Sequence, residues 1–303
     1  MKKFLIACLA CSLSAISYAQ DEAIFSQYFI SPILINPAAA GFEDGQRLQL
    51  NARGQWSGFV DAPKTYAVNY NGAMGPSFGL GLGILTETAA QLSRTRVQLN
   101  YAFRFKVKDK VKISAGFSTR YEQLSLDNSA TSGSFFDQAD DIIFNALNGV
   151  GNFDASLGVF GSVNETTYMG LTINNLVKTR LDQIVTENQQ NLLEFFTFQF
   201  GHKVTVPDLK FTLEPSLMIR QIRDAPFQMD LNMKAGFLDD QLITGLSYRT
   251  LGTVGLLLGT RLNAFYLYYS YDLSFQRFQR YTAGSHEISF AFDLKKKKKP
   301  SDK

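Results

Sequence analysis

The sequence predicts an all-β fold: a transmembrane antiparallel β-barrel of about 14 strands, with short periplasmic turns and longer extracellular loops. Three observations carry this expectation. The chain opens with an export signal, its apolar and polar residues alternate at period 2, and no later stretch reaches the ~18 uninterrupted apolar residues of a membrane helix. A chain with 45% hydrophobic and 13% aromatic residues but no membrane helix can enter lipid only as a closed barrel. Only closure gives every strand's backbone groups a partner there.

The export signal comes first. Lys2 and Lys3 form a basic start, Phe4 to Ile16 an apolar stretch, and Ser17-Tyr18-Ala19 supplies small residues where a signal peptidase reads, so the mature chain is expected to begin at Gln20. About 13 apolar residues are too few to span a bilayer. Leu5-Ile6-Ala7-Cys8 looks like a lipobox, but only a few apolar residues precede its cysteine. Both cysteines, Cys8 and Cys11, leave with the signal, so no disulfide or thiolate site is expected. The chain then divides into a signal peptide (1–19), an N-terminal periplasmic or plug segment (20–46), the barrel (47–294) and a basic tail (295–303).

The strands follow from alternation. Between Ser93 and Val107, Thr95, Val97, Leu99, Tyr101, Phe103 and Phe105 form one face, and Arg94, Arg96, Gln98, Asn100, Ala102 and Arg104 the other. A helix would scatter those arginines around its circumference. The same reading places strands at 47–56, 65–71, 79–87, 93–107, 110–126, 152–163, 166–174, 193–205, 209–222, 228–237, 241–248, 253–261, 264–272 and 285–294. Pro215 is the weak point, since proline sits in a sheet only at an edge or bulge. Minimal turns at 108–109, 165, 206–208, 238–240 and 262–263 alternate with long connections at 127–151, 175–192 and 273–284, as the two ends of an outer-membrane barrel do. Both termini are expected on the periplasmic side. There the lysines from Lys295 on would meet lipid phosphates or an acidic partner, or hang as a solvated tail.

The lipid-facing apolar face leaves a polar lumen. It is lined by Arg47, Arg53, Arg94, Arg96, Arg104, Arg120, Arg220, Arg249 and Arg261 with Glu122, Asp154, Glu214, Asp230 and Asp272. Either an open anion-selective pore or a cross-strand lattice of ion pairs would use such residues. About 14 strands fall below the 16–18 of open porins, which favours the lattice.

The net charge of +3 and the lack of a basic stripe on the barrel exclude a nucleic-acid partner. His202 and His286, the only histidines, have no metal-ligand spacing, and no nucleophile elbow, phosphate loop or HExxH is present. Asp137, Asp140 and Asp141 lack the spacing of a calcium loop. No catalytic, cofactor or metal site is expected.

Ordered stretches span the mature chain. They are Phe25-Ser26-Gln27-Tyr28, Asn36-Pro37 followed by three alanines and Gly41, then Asn51, Arg53, Gln55 and Trp56, and finally Gly284-Ser285-His286-Glu287-Ile288-Ser289. The series resembles the PorP/SprF family of type IX secretion system membrane proteins from Bacteroidota. It departs from the family at Gly54, where a larger polar residue is usual, and in its terminal lysines. The resemblance implies a non-enzymatic barrel in the outer-membrane lipid. Its expected partners are a secreted adhesin-type cargo, held at the surface, or periplasmic components of the secretion apparatus. A passive solute porin is the alternative.

The N-terminal segment is too apolar to lie in water. Phe25, Tyr28, Phe29, Ile33 and Leu34 need a surface, at roughly 1.5–3 kcal/mol per buried large side chain. An Asp21-capped helical turn would carry the first of these as a stripe with Ile24. Gly79, Gly81 and Gly83 alternate with Leu80, Leu82 and Ile84 and so face the lumen together. Bare strand backbone of this kind suits close packing of another chain segment. The three are expected to form a lumen groove for the N-terminal segment, extended by Gly255 and Gly259 if the shear aligns them; the alternative is that these glycines only relieve curvature in the wall and the segment docks on a periplasmic partner.

Overall fold

The structure is a computed structural model that describes residues 25–127, 149–177, 179–180, 195–222, 226–250, 252–275 and 282–295. The signal peptide, Asp21, Ile24, the Asp137–Asp141 cluster and the tail after Lys295 lie outside the described residues.

Fourteen antiparallel strands close on themselves. They are β1 (Gln46–Gly54), β2 (Lys64–Ala73), β3 (Phe78–Ala89), β4 (Leu92–Lys108), β5 (Val111–Leu126), β6 (Val150–Val163), β7 (Thr167–Ile173), β8 (Phe196–His202, continued by Val204–Val206), β9 (Phe211–Gln221), β10 (Gln228–Phe237), β11 (Leu242–Arg249), β12 (Thr253–Leu262), β13 (Phe265–Ser274) and β14 (Ser285–Lys295). Each pairs with its sequence neighbour, and β14 pairs with β1 to complete the ring. A two-residue bridge, Thr179–Arg180, adds to the upper part of β6. Alternation sets the faces. Along β1, Leu48 and Leu50 are exposed on the outer wall while Gln49, Asn51 and Arg53 are buried inside.

The break in β8 has a local cause. Leu213 pairs with Val204 and Ser216 with Gly201, so Glu214 and Pro215 face His202 and Lys203 without a shift of register. Pro215 has no N–H to donate, and the ladder lapses for one residue instead of bulging.

The two barrel ends differ. At one, the hairpins turn within two to four residues. The other carries all the long connections, but also a tight turn at 90–91 and a short connection between Arg249 and Thr253, so the alternation of short and long is not strict.

The lumen holds residues 25–45. Three 3-10 turns, Ser26–Phe29, Pro32–Leu34 and Pro37–Ala39, carry the chain downward in place of the expected helical turn. Prolines at the first position of the second and third turns lack an N–H that such a turn leaves unsatisfied anyway. Phe25 and Ser26 lie beside Arg53, Asp272 and Glu287, toward the long-loop end, and Asp44 lies beside Lys112 at the short-turn end. The segment therefore traverses the barrel. The first described residue, Phe25, sits toward the long-loop end, while β14 finishes at the short-turn end; the N-terminal end itself lies outside the described residues.

The lumen is not polar throughout, as alternation alone suggested. Met218, Ile243, Leu257, Tyr266, Tyr268 and Ala291 point inward and pack with Tyr28 and Phe29, with Ile30, Leu34 and Ile35 against them. One inner wall is an apolar seat for the first turn of the segment. Burying two such aromatic side chains contributes roughly 3–6 kcal/mol to holding it.

Candidate functional site

The residues quoted from the two ends of the chain meet in one buried network. Strand β1 pairs with β14 so that Arg47 faces Asp293, Asn51 faces Ser289 and Arg53 faces Glu287, all on the lumen side. Each pair is bonded: Arg47 Nε to Asp293 at 2.7 Å, Asn51 Nδ2 to Ser289 Oγ at 2.7 Å, and Arg53 to Glu287 at 2.9 Å. These rungs join the first strand to the last, at the seam that closes the barrel.

The N-terminal segment is inserted into the same rungs. The Ser26 N–H donates to Glu287 Oε2 at 2.7 Å, and its hydroxyl lies between Asp272 and Arg53. Arg53 also bonds Asp272 at 3.0 Å. Ser289 donates to the Gln27 side chain, which donates in turn to Ser270 at 3.3 Å. The Tyr28 hydroxyl donates to Asp230 at 3.0 Å and accepts from Asn232 at 3.0 Å. Arg249 links the two ends of this network, reaching Asp230 at 3.3 Å and Asp272 at 3.2 Å. Four charged side chains, Arg53, Asp230, Asp272 and Glu287, have almost no solvent exposure, and such groups are stable only when paired, as each is here.

Below this, the segment crosses a floor of backbone. Asn36 accepts from Ala38 N–H at 2.9 Å, capping the third turn, and donates to Val159 O at 3.0 Å. A Cβ added to Gly79 would overlap Ala40, one on Gly116 would overlap Ala38, and one on Gly158 would overlap Asn36 and Pro37. Gly41 requires its own lack of a side chain, with φ +61 and its Cβ position against Gly72 O and Ala73. Its N–H donates to Asn71 at 2.7 Å, while Arg104 bonds its carbonyl and Asp44. Burial alone would raise the Asp44 carboxyl, but Lys112 at 2.8 Å and Arg104 hold it below the usual aspartate value.

The remaining expected site residues divide. Gly79 and Gly81 both meet the segment, Gly81 through Ile33. Gly83 does not; its lumen side is taken by the Asn69 side chain. Gly255 and Gly259 extend no groove, because Ser247 and Asp272 cover the first and the Tyr268 ring covers the second. Gln55 and Trp56 lie at the long-loop rim, where Gln55 N–H donates to Pro63 O at 2.9 Å and Trp56 N–H to Ser285 Oγ at 3.2 Å. Gly54 has open space where a Cβ would stand, so the departure from the family pattern costs no contact.

Sequence reading missed Gly116, Gly158, Gly170 and Gly245 as seats for the segment, and Glu287 and Ser289 as the partners of Arg53 and Asn51. All of these stand at lumen-facing parity, which was the available signal. The lumen arginines are largely matched by acids: Arg96 with Glu122 at 2.6 Å, Arg120 with Asp154 at 2.5 Å, and Arg94 with Glu87 at 3.4 Å. A cavity of about 150 Å³ remains above the segment, walled by Arg96, Arg120 and Arg220 and floored by Ile33, Leu34 and Pro37.

Residues 17–292 match the family described as type IX secretion system membrane protein PorP/SprF. No curated protein sequence matches the chain. Among solved structures it is similar to the Ralstonia pickettii toluene transporter TbuX, with 11% identity, TM-score 0.51, and 93% of this chain and 97% of that one covered. It is also similar to the CymD monoaromatic hydrocarbon channel, with 12% identity, TM-score 0.52, and 90% and 94% covered. At such identities the likeness concerns the barrel fold alone.

Proposed function

Since the chain belongs to the PorP/SprF family of type IX secretion system membrane proteins, we propose that it is a plugged outer-membrane barrel. In this reading it retains a large adhesin-type cargo at the cell surface or ties the outer membrane to the periplasmic apparatus, and it does not conduct solutes. One observation carries this reading: residues 25–45 occupy the barrel and are bonded to its walls, from Ser26 on Arg53 and Asp272 at one end to Gly41, Phe42 and Asp44 on Arg104 and Lys112 at the other. A diffusion pore needs that space for solute. What such a barrel can offer instead is two stable faces, one on each side of the membrane.

The experiment has two arms. Reconstituted wild-type protein is expected to show no steady single-channel conductance, and deletion of residues 21–40 is expected to open a channel. In cells, loss of the gene is expected to release the adhesin into the medium or block its export. Steady conductance by the wild type, with surface proteins unchanged on deletion, would establish the porin reading instead.

Orientation is tested separately. Val60, 89% exposed at the long-loop end, is expected as Val60→Cys to react with an impermeant thiol reagent on intact cells. Glu165→Cys, at the short-turn end, should react only after the outer membrane is opened. The reverse pattern would invert the barrel.

A further inference from the structure

The outer wall is concave where the barrel closes. Leu50 and Ala52 of β1, Val68 of β2, Ile84 of β3, and Ile288 and Phe290 of β14 line a groove of about 370 Å³. Its depth comes from Ala52. That small side chain lies between its cross-strand partners Tyr66 and Ile288, which stand out 58% and 52% exposed. Apolar exposure is shared by the whole circumference and calls for ordinary lipid only. The hollow at Ala52 matters because of what lies directly above it.

Two residues further along β1, toward the long loops, Gly54 faces outward between Lys64 of β2 and His286 of β14. Apart from its chain neighbours, no heavy atom lies within 4 Å of the place where its Cβ would be. The bare position is an opening, flanked by a lysine and a histidine about 10 Å apart across two strand spacings. Residues i and i+2 of a strand are about 7 Å apart, so the opening and the groove are continuous.

Lys64 is exposed and, among the described residues, pairs with no carboxylate; Asp61, three residues before it, is not within ion-pair distance. It is also the one lysine or arginine that the described residues place on the outer wall at the long-loop end. The His286 ring packs against Tyr269 and Tyr271, with centroids 6.1 and 5.0 Å away. The Tyr269 hydroxyl bonds Nδ1 at 2.7 Å. With that hydroxyl as donor, Nε2 carries the ring hydrogen and can donate it outward. Tyr66, Tyr269 and Tyr271 mark this row as headgroup height, where amphipathic rings collect. A lysine at that height extends its ammonium to lipid phosphate.

We propose that the seam holds one phosphorylated glycolipid of the outer leaflet, of the lipid A class. An acyl chain lies along the groove past Ala52, and a phosphate sits over Gly54 between Lys64 and His286. A zwitterionic phospholipid fits less well, because its own ammonium offsets the charge that Lys64 would pair. This rests only on the barrel lying in its membrane with the long loops outward, and not on a secretion role.

The full-length protein, purified in mild detergent and stripped of native lipid, is mixed with lipid A and, separately, with its dephosphorylated form. Native mass spectrometry counts the bound lipid. The expected result is one retained lipid A, with the dephosphorylated form held about fivefold more weakly, one lysine's share at a membrane surface. Lys64→Gln should abolish that preference, and Lys110→Gln, at the opposite end of the barrel, should keep it. Ala52→Leu fills the hollow and should weaken both forms. Equal retention of the two forms by the wild type would overturn the proposal, as would a preference that survives Lys64→Gln or binding unchanged by Ala52→Leu. Many equivalent bound lipids, or phosphatidylethanolamine retained more strongly than lipid A, would do the same. The labelling of Val60→Cys reads orientation independently, and an inverted barrel would overturn the outer-leaflet assignment while leaving the binding measurement to judge the site.

Discussion

Replacing Arg53 by Ala is expected to destabilise the barrel by about 3–5 kcal/mol, the cost of leaving buried carboxylates without their counter-charge. Arg53 is 6% exposed, and it alone reaches Ser26, Asp272 and Glu287 together. Without it, Glu287 keeps only the Ser26 N–H among its bonded partners here, and Asp272 keeps Arg249 and the Ser26 hydroxyl. The damage falls on the β1–β14 seam and on the N-terminal segment at once. Denaturant titration of protein refolded into vesicles measures it, and the same variant should let the segment become accessible to protease. Adding Glu287→Gln should recover part of the loss, since one unpaired charge is then gone. A loss under about 1 kcal/mol would mean that the network does not hold the seam.

Gly79→Val combined with Gly116→Val is expected to push the segment off its floor and open the lumen. The added side chains meet backbone at Ala40, Pro37 and Ala38. Backbone cannot rotate aside as a side-chain tip can, and overpacking of this kind costs about 1–3 kcal/mol per site. The readout is conductance, which should approach that of the 21–40 deletion while the folded barrel persists. Gly54→Gln is the control, because its side chain enters open space, and it should shift stability by no more than about 0.5 kcal/mol. If the double variant stays closed and stable, the segment does not depend on these glycines.

The comparison between Gly79 and Gly83 shows where sequence reading reaches its limit. Period 2 assigns both to the lumen face, and both do face it. Which of them meets the N-terminal segment depends on how high the segment passes, and that depends on strand stagger around the ring. Asn69, the direct cross-strand partner of Gly83 on β2, fills the space there. Gly255 and Gly259 differ from Gly79 for the same reason: neighbouring wall side chains reach across them. Leu257 was equally illegible. It sits inside a run of three leucines, and only its parity, not its type, distinguishes it from Leu256 and Leu258.

By itself the sequence determined the barrel: its strand number, its order, its inner and outer faces, and the family to which it belongs. Those properties are local or nearly so, because alternation, turn length and motif order are all read within one or two strands. The tertiary structure alone decided the site. Ser26 and Asp272 are 246 residues apart, and Arg53 and Glu287 are 234 apart. They meet because the ring closes β14 onto β1 and the segment descends through the lumen beside that seam. Closure and stagger are properties of all fourteen strands together, so no window of the chain contains them.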